Sequence, residues 1–423
     1  MVSYPQRARE RAMKVEEVIL RAVSKQITFW QAAWILRISP RHLRRMMERY
    51  RRCGFDGLLD RRKGRPSAKR LPWAVAEQVL CLYREKYFDF SVRHFHEKLR
   101  EEHGILYSYT CIKLLLQGAG LVVRARQRGP HRRKRERRPM AGMLLHIDAS
   151  RHRWFGDQRW HDLLVVLDDA TSEMYYAQLV EEESTATVLA ALQEVIEQKG
   201  LFCALYSDRG SHFWLTPKAG EMVDRQSLTQ VGRAMRELGI AMIPAYSPQA
   251  RGRSERNFRT WQSRLPQELR VRGLREEAEA NRFLRESYIA ELNRKFSVPA
   301  AQPETAFVPA AGKDLQRIFS VQQERVVNQD NTVRVANRTL QIEKTKWRGT
   351  LAKCRVLVCE HLNGSWSVFY GPHLVGRYTA DGLAGGDAET TFSEAGNPAP
   401  PAGFPASTST AVEVSAETGQ ITC

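Results

Sequence analysis

Three acidic residues, spread over about a hundred positions, have the types and surroundings needed for metal-dependent chemistry. They are Asp148 in MLLHIDAS, Asp208 in ALYSDRGSHF and Glu255 in YSPQARGRSERNFRT, separated by 60 and 47 residues. Three carboxylates gathered at one point repel one another, so they need a positively charged partner to remain ionised together. Oxygen ligands of this kind favour Mg²⁺, for which Mn²⁺ can substitute. Two such ions can activate and stabilise the oxygens of an in-line phosphoryl displacement.

The middle third of the chain alternates between strand and helix patterns that position these acids. GMLLHIDASRHRWF, RWHDLLVVLDDATS and EMYYAQLVE predict three strands, and STATVLAALQEVIEQKG predicts a helix with Ser184 as N-cap. FCALYSD predicts a strand that ends at Asp208, QSLTQVGRAMRELG a helix and IAMIPAYS another strand. A long helix from about Arg253, bent or broken near Pro266, completes the order βββαβαβα. This order predicts a mixed sheet flanked by helices, with Asp148 and Asp208 at the ends of neighbouring strands.

Basic residues surround the predicted catalytic glutamate. Arg251, Arg253 and Arg256 lie within four positions of Glu255 and are predicted to hold DNA phosphates. Gly210 frees the backbone just after Asp208.

Other polar and aromatic residues near the acids compete for functional roles. Asp168 and Asp169 in VLDDATS are predicted to form a hairpin turn rather than a catalytic site. His146 shares a sheet face with Asp148, which favours a supporting or packing role over direct metal ligation. His212 is a candidate DNA contact. Trp214 is interpreted as a core residue, with stacking on a splayed nucleotide as the alternative.

Residues 14–60 have the pattern of a helix-turn-helix, a compact unit that places one helix in the DNA major groove. KVEEVILRAVSK has one apolar face, and TFWQAAWILRIS follows with Thr28 as N-cap. SPRHLRRMMERYRRCG then begins with Ser39 as N-cap and Pro40 at the first helical position. Its basic faces supply guanidinium groups for phosphates and guanine edges, and the predicted DNA contacts are Arg41, Arg44 and Arg45. The alternative is an ordinary solvated basic helix, which the short turn before Ser39 disfavours.

Further modules flank the predicted catalytic region. WAVAEQVLCLYREKY, SVRHFHEKLREEHG and SYTCIKLLLQGAGL predict a second helix-turn-helix, with Ser108 or Thr110 capping its last helix. Short strand patterns between about 315 and 380 predict a small β-barrel. The predicted domains are 1–62 and 63–121 (helix-turn-helix modules), 122–139 (basic linker), 140–300 (catalytic core), 315–380 (barrel) and 384–423 (disordered tail).

The charge distribution suits a polyanionic partner. The 423-residue chain has a formal net charge of +19, and residues 1–140 hold 34 Lys and Arg against 13 Asp and Glu. The remaining residues hold 32 against 34, so the excess positive charge lies in the first third.

Cysteine usage and hydropathy give the predicted location. Seven cysteines occur without a CxxC pair, which predicts reduced, mostly buried thiols in a reducing cytosol. The absence of a long apolar run argues against a membrane span, so we predict a cytoplasmic protein. A bacterial, nucleoid-associated location is implied only by the family resemblance that follows.

The segments SDRGSHF and SPQARGRSERNFRT, with the βββαβαβα order, resemble the retroviral-integrase fold of DDE transposases over residues 140–300. With its flanking modules the chain is similar to bacterial insertion-sequence transposases, in particular the ISNCY group. The resemblance implies a multidomain protein: an α/β RNase H-like core, N-terminal all-α helix-turn-helix modules and a C-terminal small β-barrel. It also implies that Asp148, Asp208 and Glu255 are the catalytic and metal-binding residues.

The predicted function is therefore DNA transposition. The protein is expected to bind the terminal inverted repeats of an element, to cleave and transfer strands with two Mg²⁺ ions, and to act on target DNA as a homo-oligomer that pairs two ends. The C-terminal barrel is expected to bind DNA or a neighbouring subunit. Two alternatives remain: a domesticated, inactive DNA-binding regulator, and a nuclease of the RNase H type.

Overall fold

The computed structural model describes residues 6–59, 71–123, 136–215, 222–224, 226–246, 252–344 and 348–384. Most of the predicted basic linker and all but the first residue of the predicted tail lie outside these ranges. The chain divides into two compact units. The described residues of Met1–Lys134, His152–Trp160 and Arg256–Ala280 form the N-terminal unit, and those of Arg135–Arg151, His161–Glu255 and Asn281–Cys423 form the core unit. The predicted boundaries of 140–300 differ from this division, because residues 256–280 group with the N-terminal helices.

The first three helices form the predicted helix-turn-helix. They are α1 (Gln6–Val23), α2 (Phe29–Ile35) and α3 (Pro40–Cys53). Thr28 and Gln31 form a capping box at the start of α2, and the Ser39 side chain accepts from the His42 N–H at the start of α3. Ile19 and Leu43 are fully buried between the helices, so one face of α3 seats the module and the other faces remain exposed.

A second three-helix module follows in the same unit. It consists of α4 (Trp73–Glu85), α5 (Val92–Glu101) and α6 (Tyr109–Gly118), and Ser108 rather than Thr110 caps α6. Its core is aromatic: Tyr87 contacts Phe90 and Phe95 with ring centroids 4.9 and 5.4 Å apart.

A helix from much later in the sequence completes this unit. Helix α9 (Gly252–Gln262) is followed by α10 (Leu265–Arg272), with the predicted break at Pro266 near the start of α10. Glu268 of α10 is buried and accepts hydrogen bonds from His94 Nε2 at 2.7 Å and Lys98 Nζ at 2.9 Å, both on α5. At its ends Arg264 pairs with Glu97 at 2.7 Å and Arg270 with Asp89 at 2.6 Å. These four side-chain contacts, three of them ion pairs and one a histidine hydrogen bond, hold α10 against the second module.

The core unit contains the predicted mixed sheet. Its strands are β1 (Leu145–His152), β2 (His161–Asp168), β3 (Met174–Val180), β4 (Ala204–Ser207) and β5 (Ala241–Pro244), in the spatial order β3-β2-β1-β4-β5. β2 and β3 are antiparallel, whereas β1 pairs with β4 and β4 with β5 in parallel. The crossover helices α7 (Thr185–Lys199) and α8 (Gln230–Leu238) bury their apolar faces in the same core as the sheet. The order βββαβαβα is confirmed.

The edge strand β3 is covered by side-chain amides. Helix α11 (Glu277–Phe283), a π-helical turn (Leu284–Tyr288) and α12 (Ile289–Phe296) run beside it. Asn281 exchanges two hydrogen bonds with the backbone of Leu179, and Asn293 exchanges two with Met174, all between 2.7 and 2.8 Å. These side-chain amides satisfy backbone N–H and C=O groups of β3 that could otherwise pair with another strand.

The C-terminal region differs from the predicted barrel. After α13 (Leu315–Ile318), strands β6 (Val321–Val326), β9 (Arg355–Glu360), β10 (Trp366–Tyr370) and β11 (His373–Tyr378) form an open sheet in the order β11-β10-β9-β6. β7 (Thr332–Val335) and β8 (Arg338–Gln341) form a separate hairpin. Side chains of both share one apolar core, but no ladder among the described strands closes them into a barrel. The short strand patterns predicted β-structure in this region but did not determine how the strands pair.

Candidate active site

Two of the three predicted catalytic acids come from neighbouring parallel strands. In the β1–β4 ladder Leu145 pairs with Leu205 and His146 with Tyr206, an offset of 60 residues. Continuing this register places Asp148 opposite Asp208, which directly follows β4. Asp208 therefore lies at a strand end as predicted, whereas Asp148 lies within β1, because that strand continues to His152. Adjacent strands lie about 4.8 Å apart, so the two carboxyl-bearing positions are side by side. Asp148 is only 7% exposed and Asp208 is half-buried.

The turn after β4 fixes the Asp208 carboxylate. The Gly210 N–H donates to Asp208 Oδ1 at 2.8 Å. A Cβ on residue 210 would lie 2.9 Å from the same oxygen, closer than real Cβ contacts allow. Glycine at this position therefore leaves room for the Asp208 carboxylate as well as permitting the turn, whereas the sequence pattern indicated only the turn.

The third acid, Glu255, lies in the first turn of α9, as predicted, and its side chain is exposed. The structure does not gather it with the aspartates: in the described part of the chain, no group of three or more His, Cys, Asp or Glu side chains is arranged to hold a metal ion.

A buried carboxylate that was predicted to serve a hairpin turn has a larger part in this region. Asp169 follows β2 and is fully buried. Its Oδ1 accepts from His146 Nε2 at 2.8 Å and forms an ion pair with the Arg253 guanidinium. Its Oδ2 accepts from the Arg138 N–H at 2.8 Å. Burial alone would raise the pKa of Asp169, but these donors outweigh it and hold the pKa far below its usual range.

Asp168 is the residue that makes the turn. It is fully buried, and its Oδ1 accepts from the Thr171 N–H at 2.8 Å while its Oδ2 accepts from the Gly142 N–H at 2.9 Å. The prediction of a structural role therefore fits Asp168, and the two adjacent aspartates act differently.

The aromatic candidate near the site belongs to the core. Trp214 is 8% exposed, and its Nε1–H donates to Ser207 Oγ at 3.0 Å. The core interpretation is supported and the stacking alternative is disfavoured. His212 is partly exposed in the same loop, and its predicted DNA contact stays a prediction.

One curated relative identifies the family to which the chain belongs. A family model described as a Homeodomain-like domain matches residues 42–116, which span α3 to α6. A curated relative from Sinorhizobium fredii, named as transposase y4bF, is 32% identical over 340 residues, covering 80% of this chain and 74% of the relative. The chain belongs to the transposase family. The transposase of insertion sequence IS1202 from Streptococcus pneumoniae is 26% identical over 366 residues, covering 78% of each chain.

Solved structures similar to this transposase include retroviral integrases. The catalytic core domain of HTLV-2 integrase, solved with magnesium, has a TM-score of 0.26 and 14% identity, covering 35% of this chain and 90% of that one. An intasome of simian T-cell lymphotropic virus with a PP2A regulatory subunit has a TM-score of 0.31 and 12% identity, covering 66% of this chain and 92% of that one. At these scores the family assignment rests on the curated relatives.

The arginines predicted to contact DNA occupy different environments in the transposase. Arg41, Arg44 and Arg45 are exposed on α3, where Arg44 also lies over the Phe29 ring at 5.5 Å. Arg256 is exposed on α9. Arg253 instead has a side chain only 15% exposed and is paired with Asp169, so it anchors the helix. Arg251 lies outside the described residues.

Two of the three predicted metal-binding carboxylates lie on neighbouring positions that could share a divalent cation. Asp148 and Asp208 offer paired carboxylate oxygens, the ligands that Mg²⁺ and Mn²⁺ prefer. Glu255 would add a third carboxylate only by approaching this pair, and gathering three carboxylates requires compensating positive charge.

No helix in the described ranges is both long enough and apolar enough to cross a membrane.

Proposed function

We propose that the transposase uses DDE chemistry, with Asp148, Asp208 and Glu255 as the catalytic carboxylates. The observation that supports this proposal is the β1–β4 register, which, when continued by two residues, puts Asp148 beside Asp208. Ligands bind to open α/β sheets at the carboxyl ends of their strands, which is where Asp208 lies. Glu255 is assigned from the motif around it and from its place in the first turn of α9.

The three carboxylates would hold two divalent cations, Mg²⁺ or Mn²⁺, which supply activation of the attacking oxygen and stabilisation of the leaving oxygen when bound. The protein's own residues bind and orient the DNA strand beside them. In cleavage, a water oxygen forms a bond to phosphorus as the bond to the 3′ oxygen breaks, which leaves a 3′-hydroxyl on the element. In strand transfer, that hydroxyl attacks a target phosphodiester, and the displaced target oxygen takes the proton. No covalent protein–DNA intermediate is required, so no serine or tyrosine nucleophile is assigned.

The N-terminal modules would supply recognition of the element ends. Exposed arginines on α3 can contact phosphates and guanine edges, and the excess positive charge of residues 1–140 adds affinity without sequence preference. The predicted partners are terminal inverted repeats and target DNA. Because two ends must be joined to one target, we propose a homo-oligomer on DNA.

The test is strand transfer by purified protein, using labelled DNA that carries the inverted repeats flanking the gene. Asp148→Asn, Asp208→Asn and Glu255→Gln should each abolish cleavage and joining while end binding persists. Glu182→Gln, an exposed isosteric change, is the matched control and should remain active. Retained activity in any of the three variants would remove that residue from the catalytic set.

The same assay separates the two alternatives. A domesticated regulator would bind the ends but fail to cleave them with any divalent metal. A nuclease of the RNase H type would cleave and never join.

A further inference from the structure

Beyond the three proposed catalytic acids, Asp169 is the meeting point of the elements that carry them. It accepts hydrogen bonds from His146 of β1 and from Arg253 of α9 on the same carboxylate oxygen. His146 stands two residues before Asp148, and Arg253 stands two residues before Glu255. One buried carboxylate therefore links the strand of the first acid to the helical turn of the third.

The contact between Asp169 and Arg253 also constrains the direction of the Glu255 side chain. Residues two apart in an α-helix point to roughly opposite sides of it, about 200° around the axis. Arg253 is 15% exposed and turned to Asp169, whereas Glu255 is exposed. Holding the Arg253 side of the turn against Asp169 thus sets the direction in which Glu255 projects.

Asp169 is held by several further hydrogen bonds. The Arg253 guanidinium also donates to the Asp169 carbonyl at 3.2 Å, and the Arg137 guanidinium donates to the same carbonyl at 3.1 Å. The Asp169 N–H donates to Leu144 O at 2.9 Å, immediately before β1. With its side chain 0% exposed, the carboxylate depends on these donors to remain ionised.

We infer that Asp169 and Arg253 are positioning residues, whose contact sets the placement of Glu255 relative to Asp148 and so tunes divalent-metal affinity. This inference rests on the proposed function, because it assigns Glu255 to the metal site. Residues that orient metal ligands without touching the metal typically change its affinity about 10- to 100-fold when mutated.

The experiment measures Mn²⁺ binding to the full-length protein by titration calorimetry, alongside the Mg²⁺ concentration for half-maximal strand transfer and the thermal unfolding midpoint. Asp169→Asn and Arg253→Gln should each weaken Mn²⁺ binding about tenfold or more and raise the Mg²⁺ requirement in parallel. The double variant should bind Mn²⁺ no more weakly than the weaker-binding single variant, because both substitutions remove the same Asp169–Arg253 contact. Arg253→Lys, which keeps the charge, should restore part of the affinity. Lys199→Gln, which removes an exposed ion pair with Glu173, is the control and should match the wild type.

A lower unfolding midpoint with unchanged Mn²⁺ affinity and Mg²⁺ requirement would show a purely structural contact and overturn the inference. If Asp169→Asn fails to fold, Arg253→Gln and Arg253→Lys decide the question, since their side chain is partly exposed. Asp208→Asn distinguishes failure of the proposed metal site from failure of the positioning role. If this variant leaves Mn²⁺ binding intact, the proposed metal site itself is wrong. If it abolishes binding while the Arg253 variants do not alter it, only the positioning role fails.

Discussion

The buried ionic contact between α5 and α10 should dominate the stability of the N-terminal unit. Burial would raise the pKa of Glu268, but hydrogen bonds from His94 and Lys98 outweigh it and lower the pKa to about 2, from an ordinary value of 4.5. A carboxyl with this change contributes about 3 kcal/mol to the free energy of unfolding at neutral pH. Glu268→Gln should therefore destabilise this unit by about 3 kcal/mol, because Lys98 keeps a buried charge and loses one of its partners.

The sign of the pH dependence follows from the direction of that change. The folded-state pKa lies below the unfolded value, so the stabilisation is fully present above about pH 4.5 and is lost as the pH falls towards 2. Burial also lowers the pKa of His94, so protonation of this histidine on acidification below about pH 6.5 opposes folding as well.

Hydrogen exchange followed by mass spectrometry measures the effect locally. A loss of about 3 kcal/mol corresponds to roughly hundredfold faster exchange in peptides covering Val92–Glu101 and Leu265–Arg272 at neutral pH. Peptides from the five-stranded sheet should keep their wild-type rates. Glu279→Gln, at an exposed position of the same unit, is the control. Unchanged exchange in α5 and α10 of the Glu268→Gln protein would refute the reasoning.

Three further outcomes are expected. Gly210→Ala should reduce strand transfer at least tenfold with little change in the free energy of unfolding, because the new Cβ would displace Asp208 Oδ1. Gly118→Ala, at a position with open space around it, is the control. Full activity of the Gly210→Ala protein would contradict this reasoning. Trp214→Ala should destabilise the core by about 3–5 kcal/mol in chemical denaturation, whereas a loss of DNA affinity with unchanged stability would support base stacking instead. Arg41→Ala and Arg45→Ala should weaken end binding and lower the slope of log affinity against log salt by about 0.9 for each lost phosphate contact; an unchanged slope would exclude phosphate contacts by these residues.

Local patterns were enough to predict the elements and the neighbouring strands β1 and β4. The apolar runs predicted the order of strands and helices along the chain. Thr28 and Ser39 predicted two helix starts that the structure confirms, and Ser108 was one of two predicted caps for a third. The parallel neighbourhood of β1 and β4 was predictable from the crossover order, but the position of Asp148 was not: it lies within β1 rather than at the strand end where the apolar run had placed it.

The features that could not be predicted depend on contacts between residues far apart in the chain. Nothing near Glu268 shows that its partner His94 lies 174 residues earlier. Asp169 looked like a turn residue because its neighbour Asp168 is one, and Arg253 looked like a surface cation because its buried partner is 84 residues away. The prediction of mostly buried cysteines was wrong for the described thiols: Cys53, Cys81 and Cys203 are exposed and only Cys359 is buried. Composition predicted their unpaired state and carried no information on their depth.

The discontinuity of the N-terminal unit has a consequence for synthesis on the ribosome. Helices α4 to α6 emerge early, but Arg264 and Glu268, which pair with Glu97 and Lys98 in the finished protein, belong to the start of α10 and to α10 itself, which ends at Arg272. At roughly 5–20 residues per second, translation takes about 10–30 s to travel from the end of α6 to that point. During this interval Glu97 lacks its arginine partner and Lys98 has only Glu102, so the contacts that complete the unit form only after most of the catalytic region has been made.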